Sequence, residues 1–150
     1  MRSIICLFVV AITALAGVNG CESNNQVDPK QTVIALFSAM EKDDKAALTR
    51  ILDLAELMQT INEDYALQTN NPRKFSNPQE ILDDLTGEGQ TKKTWFSLQR
   101  IINRTDIQGD VATVEVTFVD KEQSRGYMTR FGLHKKNGKW RIYSFKVMNE

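Results

Sequence analysis

Midway through this 150-residue chain the apolar residues change period. Up to Leu85 they recur every three or four positions, the spacing of one helical face; from Val111 they alternate, the spacing of a half-buried strand. Helices therefore come first and strands follow one another. Strands joined by short turns pair antiparallel, so the order predicts an α+β domain with its helices on one side of the sheet.

The helical half is punctuated by caps. Asp28 is a good N-cap, Pro29 suits the first helical position, and Gln31 sits three residues after Asp28. Val33, Leu36, Phe37 and Met40 then form one stripe, and this helix should end near Lys42. Asp43 or Asp44 can cap a second helix. Leu48, Ile51, Leu52 and Ala55 form its stripe, while Leu54, Leu57, Met58 and Ile61 widen it; so broad an apolar arc implies burial on more than one side. The pattern continues to Gln68 as one helix or two. Asn70-Asn71-Pro72 breaks it. A third helix is signalled by Asn77, Pro78 and Glu80, carries Ile81, Leu82 and Leu85, and stops at Gly87-Glu88-Gly89.

In the second half, Trp95 to Thr105 is rich in aromatic and branched residues and reads as the first strand. Gln108-Gly109-Asp110 turns the chain into Val111–Val119, where Ala112, Val114, Val116 and Phe118 share a face. Tyr127–Lys135 alternates again. Asn137-Gly138 is a hairpin signal because both residues tolerate positive φ. Trp140–Val147 follows as the last strand. The expectation is three helices and a four-stranded antiparallel meander.

The start of the chain has a different character. Arg2 precedes an apolar run from Ile4 to Ala16, then Gly17-Val18-Asn19-Gly20 leads to Cys21. The run is shorter than the roughly 20 residues a membrane span needs and has the length of a signal-peptide core. The segment resembles a bacterial lipoprotein signal, in which the cysteine becomes the acylated first residue of the mature chain. Asn19 departs from the small residue usual at that place. The alternatives are ordinary secretion, leaving a free thiol, and a retained anchor. Cys6 would leave with the signal, so Cys21 would have no disulfide partner. Acylation gives it a use, each buried CH₂ contributing about 0.8 kcal/mol. The expected organisation is a signal over residues 1–20, a polar tether over 21–27 and one domain over 28–150. The six tether residues after Cys21 span at most about 20 Å at roughly 3.3–3.6 Å each, which keeps the domain near a membrane.

Without Arg2 the chain has 18 basic and 19 acidic side chains. This near-neutrality argues against nucleic acid, which calls for a basic stripe, and against a polybasic membrane surface.

Three local features carry a resemblance. Pro29 to Asp44 is a proline-started helix with Phe37, followed by Ala46-Ala47-Leu48. Gly109-Asp110-Val111-Ala112-Thr113-Val114 turns into a long strand. Asn137-Gly138-Lys139-Trp140-Arg141-Ile142 is a hairpin with tryptophan opening the final strand. Together they resemble the NTF2-like (cystatin-like, SnoaL-like) superfamily, and within it small bacterial lipoproteins of the DUF4878 type. The resemblance spans Asp28 to Val147. It implies a curved four-stranded sheet wrapped around helices as a cone, which in such proteins often holds a small apolar ligand or an active site.

Enzymes of that superfamily typically place a histidine or carboxylate inside the cone. The one histidine here, His134, falls on the face opposite Phe131 and Leu133, beside a turn, and reads as exposed. A histidine–aspartate dyad is therefore not expected. Asp53, Glu56, Asp64 and Asp83 flank apolar helical faces and read as solvated. With one histidine and one mature cysteine, a metal site would need an unusual carboxylate array; no catalytic set, metal or cofactor is expected. Tyr65, Trp95, Tyr127 and Trp140 have two readings, sheet core or the lining of a pocket for a ligand or partner. The sequence thus predicts a membrane-anchored envelope lipoprotein, facing periplasm or cell surface, with a non-catalytic binding or assembly domain. The alternatives are an enzyme or ligand carrier using the cone, and a secreted homodimeric module. Expected partners are the membrane, through acyl chains, and a small apolar ligand, an envelope protein or a second copy.

Overall fold

The computed structural model describes residues 28–148. The signal segment, Cys21 and the tether lie outside the described residues. Within them the element order is α1 (Pro29–Glu41), α2 (Lys45–Ile51), α3 (Leu54–Thr69), α4 (Pro78–Asp84), α5 (Gln90–Ser97), β1 (Gln99–Gln108), β2 (Val111–Asp120), β3 (Arg125–Lys136) and β4 (Lys139–Met148).

The caps act as the sequence predicts. The Asp28 carboxylate accepts from Lys30 N–H at 2.9 Å, and Asp44 accepts from Ala47 N–H at 2.8 Å. Asn77 accepts from Glu80 N–H at 3.2 Å, while Glu80 accepts from the Asn77 amide at 2.8 Å and from Ser76 N–H at 2.7 Å. The two side chains thus brace the start of α4 reciprocally, Glu80 reaching the Asn77 side-chain amide and the Ser76 backbone rather than the Asn77 backbone N–H of a capping box.

Five helices stand where three were expected. The broad apolar arc of the second belongs to two helices, α2 and α3, each burying its own part. Between them Leu52 is extended (φ −92°, ψ 141°) and bridges Ile142 of β4 in parallel fashion, and Asp53 N–H donates to Ile142 C=O at 2.8 Å. A sheet contact thus interrupts the helical run. The fifth helix, α5, occupies the start of the segment read as a strand, which begins only at Gln99. Its sequence, QTKKTWFS, has no apolar stripe; Trp95 is its one buried residue, so the anchor of this helix is tertiary.

The sheet order is β1-β2-β3-β4, antiparallel throughout. Register irregularities between Ile102 and Thr105 and between Gly132 and Leu133 locally bend and twist their strands, which curves the sheet. Asn137 (φ 52°) and Gly138 (φ 73°) make the tight turn joining β3 to β4. Ala112, Val114, Val116 and Phe118 of β2 meet Phe131 and Leu133 of β3 and Ile142 of β4 on the helix-facing side. There the aromatics interlock: Phe37 lies 5.9 Å from Trp95 and 5.9 Å from Phe131, and Trp95 stacks on Phe118 at 5.3 Å. Phe145 closes the group at 5.3 Å from both Trp95 and Phe131.

Phe131 is fully buried at the centre of this group, whereas Ile101 is 43% exposed on the outer face. Phe131→Ala is expected to cost about 3–5 kcal/mol and Ile101→Ala within about 0.5 kcal/mol. Urea unfolding of both variants checks this; equal losses would contradict the described core.

Candidate functional site

The interior of the cone is largely filled by the aromatic group. Beside it lies a cavity of about 160 Å³ bounded by Phe75, Ile81, Leu85, Trp95 and Phe145, with Lys74 and Asp84 at its polar edge. Small-molecule pockets usually enclose about 300–1,000 Å³, so this space suits only a few heavy atoms. Asp84 is already engaged, accepting from Thr91 N–H at 3.1 Å and Thr91 O–H at 2.5 Å, which ties α4 to α5. Thr129 is fully buried on β3, and its hydroxyl has no partner.

The four aromatics singled out from the sequence are dispersed. Trp95 walls the 160 Å³ cavity. Tyr127 stacks on Phe118 at 5.2 Å and borders a separate groove of about 260 Å³ with Leu98 and Arg125. Burial pushes the Tyr127 phenol above 10.0, with Trp95 opposing. Trp140 is buried near the β3–β4 turn beneath Lys135, whose Nζ lies 4.9 Å from the ring centroid. Tyr65 is half-buried on α3, and neither it nor Trp140 lines these two hollows.

A group of ionisable side chains lies elsewhere, where α3 begins beside the end of β3. His134 Nε2 is 3.0 Å from Asp53 Oδ2, and His134 Nδ1 is 3.5 Å from Glu56 Oε2. Lys136 Nζ donates to the same Asp53 oxygen. Both readings of His134 and Asp53 as exposed are corrected: their side chains are 17% and 10% exposed. The bridge to Ile142 brings Asp53 over the edge strand, where it covers a histidine that would otherwise face solvent. The dyad not expected from spacing is therefore present, across 81 residues of sequence.

Each partner is positioned by the fold. The His134 ring stacks on Tyr143, with centroids 5.1 Å apart. Tyr143 lies over Gly132, where an added Cβ would come within 3.0 Å of its ring. Thr60 O–H donates to Tyr143 C=O at 2.9 Å, fixing α3 against β4. Both ring nitrogens face carboxylates. Burial alone would push the Asp53 carboxyl up. The Lys136 hydrogen bond and charge, joined by His134, outweigh that and hold it below 3.8. Asp83 is exposed and paired with Lys45 at 2.5 Å, and Asp64 is half-buried on α3. One polar hollow of about 170 Å³ on the outer sheet face holds Arg104, Asp106, Glu115 and Arg130; its charges balance, with Arg130 Nε 3.0 Å from Glu115.

Helices packed on a curved four-stranded antiparallel sheet, enclosing the core as a cone, define an NTF2-like fold. Among solved structures the chain is similar to Rd1NTF2_05 in a multiply substituted form, with TM-score 0.52 and 12% identity over 79% of this chain and 95% of that one. It is also similar to a de novo designed protein with a curved β-sheet (TM-score 0.48, 12% identity, 81% of this chain and 100% of that). A third is an NTF-2 like protein of unknown function from Silicibacter pomeroyi (TM-score 0.44, 16% identity, 79% and 92%). No protein-family model and no curated protein matches the sequence.

A carboxyl with a lowered folded pKa stabilises the fold above its unfolded value, and that contribution disappears as pH falls through the folded value. Asp53 should therefore contribute fully at neutral pH and progressively less below 3.8. Asp53→Asn is expected to cost about 1–3 kcal/mol at neutral pH and much less in strong acid. Urea midpoints of both proteins across that range check the sign; a pH-independent gap would exclude the ionised carboxylate as the cause.

Proposed function

We propose that this chain is an exported lipoprotein of the DUF4878 type, held at a bacterial membrane by acyl chains on Cys21, whose NTF2-like domain binds or assembles rather than catalyses. The observation that carries the non-catalytic reading is the filled cone. Phe37, Trp95, Phe118, Phe131 and Phe145 occupy the space where enzymes of this fold hold substrate, and Asp84, the carboxylate beside the 160 Å³ cavity, is bonded to Thr91. General acid–base catalysis needs a group within hydrogen-bond reach of a bound substrate, and a cavity of about 160 Å³ admits little.

The anchored reading is supported by the order of Arg2, the Ile4–Ala16 run and Cys21. Among the described residues no helix is long and apolar enough to cross a membrane. Binding falls to the outside of the domain. A row formed by Ile101, Thr117, Met128 and Met148 crosses the outer sheet face, and Ile101 is exposed there. That row suits an envelope protein or a second copy.

Expressed in a bacterium, the wild-type chain should partition into the membrane fraction, and Cys21→Ser should release it into the soluble exported fraction with its fold intact. Retention of the Cys21→Ser protein in the membrane would overturn the acyl anchor. Turnover of a small substrate that survives replacement of surface residues but is lost on replacing Asp84 would overturn the non-catalytic reading.

A further inference from the structure

We propose that Asp53, Glu56 and His134 form a binding site for a divalent transition-metal cation of the zinc class, occupied here by the Lys136 ammonium. One ligand atom from each of the three side chains lies within 4.8 Å of the other two. Bonds of about 2.0–2.2 Å in a tetrahedral zinc site put neighbouring ligands roughly 3.5 Å apart. Closing the set on one ring nitrogen requires a rotamer change that brings the carboxylate facing the other nitrogen round to the same side.

Two elements hold the donors. Asp53 precedes α3 and is pinned by its own N–H to Ile142 C=O at 2.8 Å. Glu56 follows one turn later on the same side of α3. His134 comes from β3, its ring oriented by Tyr143. These restraints spare a bound cation much of the cost of ordering its ligands. Solvent still reaches the site, because the Glu56 side chain is 43% exposed.

The structure already shows a cation at the Asp53 carboxylate. That cation is a lysine at the end of β3 whose side chain is 54% exposed, while the carboxylate is 10% exposed. A long, half-solvated side chain leaves such a place more readily than the anchored carboxylate does. A divalent ion offers Asp53 and Glu56 twice the charge and can also take the imidazole lone pair as a direct ligand. The donor set decides the class. One imidazole nitrogen with two carboxylates suits borderline ions such as zinc; magnesium and calcium prefer oxygen alone, and copper(I) prefers sulfur. Three protein ligands leave a further position for water. The alternative is a closed ion-pair network that takes no metal.

Zinc titration by calorimetry separates the two, using the full chain with Cys6 and Cys21 replaced by Ser so that thiols take no metal. One saturable site is expected. Asp53→Asn, Glu56→Gln and His134→Gln should each weaken it about tenfold or more. Lys136→Gln should tighten it about three- to tenfold by removing the competing charge. Cobalt(II) in the same protein should show visible absorption that zinc displaces. No saturable binding by the parent and Lys136→Gln proteins, or binding unchanged in a folded His134→Gln protein, would overturn the site. Should a ligand variant fail to fold, the Lys136→Gln comparison still decides, since weaker or equal binding there contradicts the proposal.

Discussion

The contact between Leu52-Asp53 and Ile142 organises much of this molecule. One bridge and one 2.8 Å hydrogen bond stop a helical run, turn it along the edge of β4, and seat Leu52 in the core while leaving Asp53 outside it. Because side chains alternate across an extended backbone, Leu52 and Asp53 go to opposite sides. The same step therefore completes the apolar interior and builds the charged group around His134. Unpaired backbone groups on an edge strand are costly to leave open, and α3 with its preceding turn covers part of that edge.

The filled cone and the charged group are complementary consequences of this packing. Aromatic residues from α1, α5 and three strands converge inside, beside a cavity of only about 160 Å³. The histidine available for chemistry is displaced to the outside, among two carboxylates and a lysine. NTF2-like folds can use an interior hollow, but this sequence spends that volume on packing.

The helix caps, the hairpin at Asn137-Gly138 and the inward face of β2 and β3 were legible in the sequence, because each depends on residues a few positions apart. The helix α5 was not, since QTKKTWFS lacks an apolar stripe and Trp95 docks it from afar. Nor was the site around His134. Its outward placement on β3 was correctly read, but outward here means facing Asp53 rather than water. Asp53 read as a solvated residue inside one helical run, and nothing in the spacing linked it to a strand 81 residues away.

By itself, the sequence determined that helices precede strands, the fold class, and the tight turn between the last two strands. Those follow from local periodicity, capping and turn stereochemistry, which act along the chain. The tertiary structure alone decided where the second helical run breaks, that the cone is filled, and that Asp53, Glu56, His134 and Lys136 meet. Those depend on edge-strand pairing and on volumes contributed by distant segments, and periodicity carries no information about which distant segment will supply the partner.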